Sequence, residues 1–308
     1  MKTNISIEVK LTDRCNQRCF YCVNDDDVES GALIDGRFFI QRLREWAEDK
    51  ESSVFEIKEV RMTGGEPLLY PKAVAEIARA CRRLGIRSGI NTNGSLITLP
   101  LLRSLKKAGM EVVKISFDGL DKAVYGKMRD ETFSPEKILR GVKAAVHNGF
   151  KVILRFTLTR YNQNELIACY QKARDLGVYK FQIKPLIDAG RAHGSNGFLA
   201  REKIHQSLAE LEKVTSGEIL IPEILCWPPD HLSGFKYSIC GSIKKIYVCT
   251  DLRVMICNYV PVTEFIGDLT QETLDTILRG REVDIWVSQE GHRIIKGCPN
   301  RVFFDSSV

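Results

Sequence analysis

A chain of 308 residues, 44% hydrophobic and 27% charged, has the composition of a globular protein, with room for one large domain and a smaller one. No apolar run reaches the ~18–20 residues of a membrane span, and Met1-Lys2-Thr3-Asn4 leads into strand-like alternation rather than a signal peptide, so a soluble, cytoplasmic protein with no membrane partner is expected. The net charge of +6 lies in short clusters such as Arg79, Arg82, Arg83 and Lys106, Lys107, which read as solvated helix faces rather than a nucleic-acid footprint and leave a modest attraction for acidic substrates.

Apolar alternation in Ile5–Leu11 predicts a first strand, followed by a helix from about Phe38 to Ala47. Further strands are predicted at Glu59–Met62, Ile86–Ile90, Val112–Phe117, Val152–Leu158 and Lys180–Lys184. Between them lie helical patterns near Lys72–Leu84, Leu99–Ala108, Pro135–Asn148 and Asn164–Leu176, several closed by a glycine (Gly85, Gly109, Gly149, Gly177) suited to a left-handed cap. Six strand–helix units with right-handed crossovers predict an α/β fold, a partial (β/α)6 TIM-like barrel with its functional loops at the strand C-terminal ends. After Pro185 the rhythm breaks: a loop to Gly197, a helix at Arg201–Val214 and a linker over Pro222–Gly234. Lys244–Val248 and Arg253–Cys257 then read as a β-hairpin turning at Thr250-Asp251-Leu252, with a helix near Gln271–Leu278. The expected division is 1–186 for the barrel, 187–237 for a linker with a helix, and 238–308 for a small hairpin-plus-helix domain.

Ten cysteines in a chain without an export signal point to metal binding or catalysis rather than disulfides. Cys15-x-x-x-Cys19-x-x-Cys22 follows the first strand, and its spacing lets three thiolates converge on one iron–sulfur cluster. Such clusters normally take four cysteines, so three leave one iron with an open position for a small molecule. A structural zinc site wants four closely grouped ligands, and no fourth Cys or His follows Cys22 at that spacing.

Cys15-Asn16-Gln17-Arg18-Cys19-Phe20-Tyr21-Cys22 resembles the signature of the radical S-adenosylmethionine (SAM) superfamily, and Thr63-Gly64-Gly65-Glu66-Pro67 resembles its cofactor-binding motif. The resemblance covers roughly residues 4–186. It implies a [4Fe–4S] cluster that binds SAM, reductive cleavage to a 5′-deoxyadenosyl radical, hydrogen abstraction from a substrate, and a reductant of flavodoxin or ferredoxin type. It also implies roles for individual residues: Tyr21 beside adenine, the Gly64–Pro67 segment on the methionyl amine, Asn93, Ser116 and Asp118 near the ribose or methionyl group. Arg155 is a partner for the methionyl carboxylate or a member of a salt bridge.

Cys240 and Cys257 bracket the predicted hairpin and Cys298 follows the last helix. With Phe265–Leu269, this arrangement resembles the Twitch or shortened SPASM extension of radical SAM enzymes, which implies an auxiliary [4Fe–4S] cluster on Cys240, Cys257 and Cys298. Leu252 stands where many members have a turn glycine, and Arg301 where a fourth cysteine could follow. The fourth ligand is left open between Cys226, Cys249 and none. Cys249 is alternatively a hydrogen-atom donor or an ordinary residue, whereas Cys81 and Cys169 read as helix packing. The barrel starts near the N-terminus, so no fused peptide-binding domain is expected. The expected substrate is a small polar metabolite of aminosugar or aminocyclitol type, epimerised or dehydrogenated; the alternatives are maturation of a ribosomally made peptide and a non-catalytic electron carrier.

Overall fold

The structure, a computed structural model, describes residues 2–24, 31–53, 55–129, 131–225, 235–238, 245–259 and 265–279. Strand and helix alternate through β1 (Thr3–Thr12), α1 (Gly36–Glu48), β2 (Phe55–Gly64), α2 (Pro71–Arg83), β3 (Arg87–Thr92), α3 (Leu99–Ala108) and β4 (Val112–Ser116). They continue through α4 (Lys122–Met128), α5 (Pro135–His147), β5 (Lys151–Leu158), α6 (Leu166–Asp175), β6 (Lys180–Pro185) and α7 (Arg201–Thr215). The remainder is β7 (Glu223–Leu225), β8 (Lys236–Ser238), β9 (Lys245–Val248), β10 (Arg253–Met255), β11 (Phe265–Asp268) and α8 (Leu274–Leu278).

Local chemistry sets the helix ends. Asp35 accepts from the Arg37 and Phe38 amides to open α1, Thr98 and Ser134 do the same for α3 and α5, and α2, α3 and α5 each carry proline in the first turn. The four glycines expected to close helices, Gly85, Gly109, Gly149 and Gly177, all take positive φ.

The described strands form one sheet in the order β11-β10-β9-β1-β2-β3-β4-β5-β6-β7-β8. From β1 to β8 every neighbour is parallel, as the crossover helices require. Each strand has two unlike faces. Ile5, Ile7, Val9 and Leu11 of β1, with Val113 and Ile115 of β4 and Phe181 and Ile183 of β6, are buried in the apolar core shared with Phe39, Leu43 and Trp46 of α1. The alternate residues Glu8, Arg61, Lys114, Arg155, Gln182 and Lys184 line a cavity reached from β1 through β7, which only a curved sheet can enclose. A closed (β/α)8 barrel fills that space with branched apolar side chains; here the partial barrel keeps a polar lumen.

Three features depart from expectation. The segment read as a linker carries β7 and β8, which extend the sheet past its sixth parallel strand. The predicted hairpin is the pair β9–β10, but β9 also lies parallel to β1, with Ser6 opposite Lys245 and Val9 opposite Val248, so the hairpin continues the barrel sheet. Leu252 holds φ 70, a left-handed conformation that favours glycine. That costs a leucine about 1–2 kcal/mol, offset by burying its side chain to 6% exposure.

Phe39 is fully buried between α1 and the sheet; Phe39→Ala is expected to lower stability by about 3–5 kcal/mol, measured as a reduced urea midpoint with unchanged m-value.

Candidate active site

The chain leaves β1 at Thr12 and turns at once. The Thr12 hydroxyl donates to the Ala32 carbonyl (2.9 Å) and accepts from the Arg14 amide (3.1 Å), which starts the loop bearing Cys15, Cys19 and Cys22. All three thiols are half-buried, none is in a disulfide, and all line one cavity at the C-terminal ends of the strands. The Gln17 amide points at the Cys15 sulfur (3.4 Å). Burial raises the Cys15 pKa and pushes that of Cys19 up to about 12. Both are therefore protonated until a metal displaces the proton.

The glycine motif is built against this loop. Gly65 N donates to Thr12 O and Glu66 N to Arg14 O, both at 2.7 Å. A Cβ on Gly64 would stand 2.3 Å from Thr12 O, and one on Gly65 2.0 Å from Arg14 O. These are backbone atoms that cannot swing aside, so the two glycines are demanded by the cysteine loop itself. Glu66 is fully buried, and its carboxylate accepts from Leu68 N (3.0 Å), Thr92 Oγ1 (2.7 Å) and Asn93 N (2.8 Å). Asn93 in turn donates to Asn16 Oδ1 (2.8 Å), tying the end of β3 to the cysteine loop.

Asp118, after β4, is the second anchor. It is fully buried; Oδ2 accepts from Arg129 Nε (2.7 Å) and the Tyr21 hydroxyl, and Oδ1 from Thr157 N (2.8 Å). Arg129 then reaches Gln17 Oε1 at 3.0 Å, and its guanidinium lies 5.8 Å from the Tyr21 ring centroid.

Of the expected cofactor residues, Tyr21, Gly64, Gly65, Asn93, Ser116 and Arg155 line the cavity with the three cysteines. Arg155 Nε is buried with no hydrogen-bond partner among the described residues. Glu66, Pro67 and Asp118 are not in that lining. Glu66 and Asp118 use their carboxylates inside the protein, and Pro67 is buried at the start of a short 3-10 turn. Cys249 lines neither this cavity nor the lumen below it; its sulfur is 3.8 Å from Met255 Sδ, and with Cys257 it packs on Tyr247 and Met255. Cys81 and Cys169 are buried in α2 and α6, as helix packing requires. Cys226, Cys240 and Cys298 lie outside the described residues.

Sequence reasoning missed Asn16, Gln17 and Arg129, whose roles depend on partners distant in the chain. It also missed Gly190, where a Cβ would stand 2.2 Å from Cys22 O; its glycine-rich surroundings were the available signal. Among the described residues no helix is long and apolar enough to cross a membrane.

Residues 9–173 match the sequence profile of the Radical SAM superfamily. The chain is 32% identical to pre-heme d1 synthase of Dinoroseobacter shibae over 61% of its own length and 45% of that protein, so it spans less than half of that relative. It is 25% identical to a probable GTP 3',8-cyclase of Sulfurisphaera tokodaii over 92% of each chain. The crystal structure of Streptococcus suis SuiB bound to S-adenosylmethionine superposes with a TM-score of 0.72 at 14% identity, covering 97% of this chain and 71% of that one.

Asp118→Ala is expected to cost about 3–5 kcal/mol, because it strands a buried guanidinium. Urea denaturation should show that loss, and adding Arg129→Met should recover part of it. Gly65→Ala should lower stability and iron uptake together, measured by denaturation and by iron content after reconstitution.

Proposed function

The chain belongs to the radical SAM superfamily, and from that premise we propose that it takes a hydrogen atom from a carbon of a small polar metabolite held in the barrel lumen and releases a dehydrogenated product. The observation that carries this reading is the continuity of two cavities. The one lined by the three cysteines shares Thr63, Asn91, Arg155 and Lys184 with the polar lumen beneath it.

The residues suit the cofactors that the family implies. Three unbridged thiols face one cavity. Three thiolates without a nearby fourth Cys or His in the loop suit an iron–sulfur cluster better than a structural zinc ion, which wants four grouped ligands. When bound, the [4Fe–4S] cluster and SAM supply an electron and a carbon-centred radical. In this reading Cys15, Cys19 and Cys22 hold the cluster, the Gly64–Gly65 backbone and Asn93 wall the methionyl end, and Ser116 and Tyr21 border the nucleoside. Arg155, with its unpartnered Nε, meets the methionyl carboxylate.

The hairpin is proposed to carry an auxiliary cluster, with Cys257 joined by Cys240 and Cys298 in a domain beginning near residue 238. Cys249 packs on the same Tyr247–Met255 cluster as Cys257 and lines neither cavity, which favours a ligand over a hydrogen donor and therefore dehydrogenation over epimerisation. Dehydrogenation removes a hydrogen atom, an electron and a proton from the substrate; an auxiliary cluster held by Cys257, Cys240 and Cys298 would supply the electron acceptor and solvent the proton acceptor. A flavodoxin or ferredoxin-type reductant is the proposed electron source. A lumen lined by charged side chains suits a small polar metabolite better than a peptide. Its excess of cations weighs against the aminosugar or aminocyclitol expected from the sequence, since an amine would be repelled.

Anaerobically reconstituted protein should hold about eight irons as two four-iron clusters and form 5′-deoxyadenosine from SAM under reduction. Cys19→Ala should abolish that cleavage, whereas Cys257→Ala should retain it with about half the iron. A wild-type content of about four irons would remove the auxiliary centre, and a turnover product of unchanged mass would remove dehydrogenation.

A further inference from the structure

The lumen carries more positive charge than its own carboxylates neutralise. Eight Lys and Arg side chains line it against three Glu, an excess that accounts for most of the chain's +6. Pairing is selective. Arg61 and Arg87 share Glu59, Lys180 lies 3.3 Å from Glu223, and Lys245 lies 3.2 Å from Glu8. Lys114 and Arg155, on adjacent strands, have no carboxylate at ion-pair distance among the described residues, yet Lys114 is only 4% exposed.

Burying Lys114 beside a half-buried Arg155, with no carboxylate at ion-pair distance among the described residues, is costly. Burial first, and then Arg155 and Arg61, push the Lys114 pKa well below that of an ordinary lysine. Glu8 shows the same field from the other side. Burial opposes its ionisation, but Lys245, Lys114, Arg61 and Arg155 outweigh that and hold its carboxyl far below the usual carboxylate range. Hydrogen-bonding capacity is also left over: Arg61 Nε, Arg155 Nε, Gln182 Oε1 and Asn91 Oδ1 are buried without partners among the described residues, and all four residues line this cavity.

We propose that the lumen is an anion site, centred on Lys114 with Arg61 and Arg155 beside it, which receives a phosphate or carboxylate group of the substrate. The remainder of the molecule then extends toward the cysteine-lined cavity. The inference rests on the reading of the lumen as the reaction chamber and narrows its substrate to a multiply charged anion. Arg155 sits where the two cavities join and can serve the cofactor carboxylate; Lys114 and Arg61 lie in the lumen alone. A guanidinium Nε and an ammonium are donors suited to phosphate or carboxylate oxygen. Gln182 Oε1 and Asn91 Oδ1 accept from a hydroxyl or amide elsewhere on the same molecule.

Calorimetric titration of the reconstituted, SAM-bound protein with inorganic pyrophosphate, and separately with succinate, tests the site. At least one probe should saturate one site per chain. Pyrophosphate alone would assign a phosphorylated substrate, succinate alone a polycarboxylate one, and both an anion site tolerant of either. Lys114→Met should weaken the binding by about tenfold or more, and Lys114→Arg, which keeps the charge, should restore most of it. SAM affinity and substrate-free 5′-deoxyadenosine formation, measured on the same samples, report the fold and the cofactor site independently. No saturable binding of either probe, or wild-type affinity in Lys114→Met, would overturn the anion site and leave the radical chemistry standing. Loss of SAM cleavage with probe binding intact would strike the other reading instead.

Discussion

The buried carboxylate of Asp118 is the constraint on which the site's geometry depends. It sits at the C-terminal end of β4 and receives donors from three places: Arg129 beyond α4, Tyr21 in the cysteine loop and the Thr157 amide on β5. A charged group with no exposure must satisfy its oxygens inside the protein, and here that requirement draws the cysteine loop down onto the sheet. Arg129 passes the constraint on to Gln17, whose amide is directed at Cys15. The loop between two prospective iron ligands is thus positioned by a charge pair that touches neither of them.

Glu66 plays the matching part on the other side. Its carboxylate joins the end of β2 to Thr92 and Asn93 at the end of β3, and its amide is bonded to the cysteine loop through Arg14. The cysteine and glycine motifs, distinct in the sequence, form one packed unit whose backbones are too close for a side chain at Gly64 or Gly65. Preorganisation of this kind holds reactive groups in place before any ligand arrives. Both carboxylates are engaged by donors within the protein, while the Gly64–Gly65 segment, Asn93, Ser116 and Arg155 line the cavity with the cysteines.

Much of this was legible in the sequence where a local rule governs. The six long strands and their helices follow from apolar periodicity, capping residues and terminal glycines, and their bounds differ by a few residues at most. The three-residue strands β7 and β8 and the four-residue β11 are too short to display a period and form because a neighbouring edge pairs with them. The seven-residue α4 is similarly too short for a helical repeat to emerge. Charge is the instructive failure. Lysines and arginines in β2, β4, β5 and β6 were visible, but sequence alone does not say which face of a strand looks into the barrel, so the net charge was assigned to helix surfaces. Arg129 was unreadable for a different reason, since its partners lie 11 and 112 residues away.

The pairing of β9 with β1 has a consequence for how the chain divides. β1 carries the cysteine loop at its end and is flanked by β2 on one side and β9 on the other. Side chains reinforce the second contact, with Lys245 on Glu8 and Thr250 on Asp13. A barrel cut free of the hairpin would expose the backbone of β1 as an unpaired edge, open to pairing with another chain. The β9–β10 hairpin therefore acts as a guard strand, protecting the edge of the strand that delivers the cysteine loop.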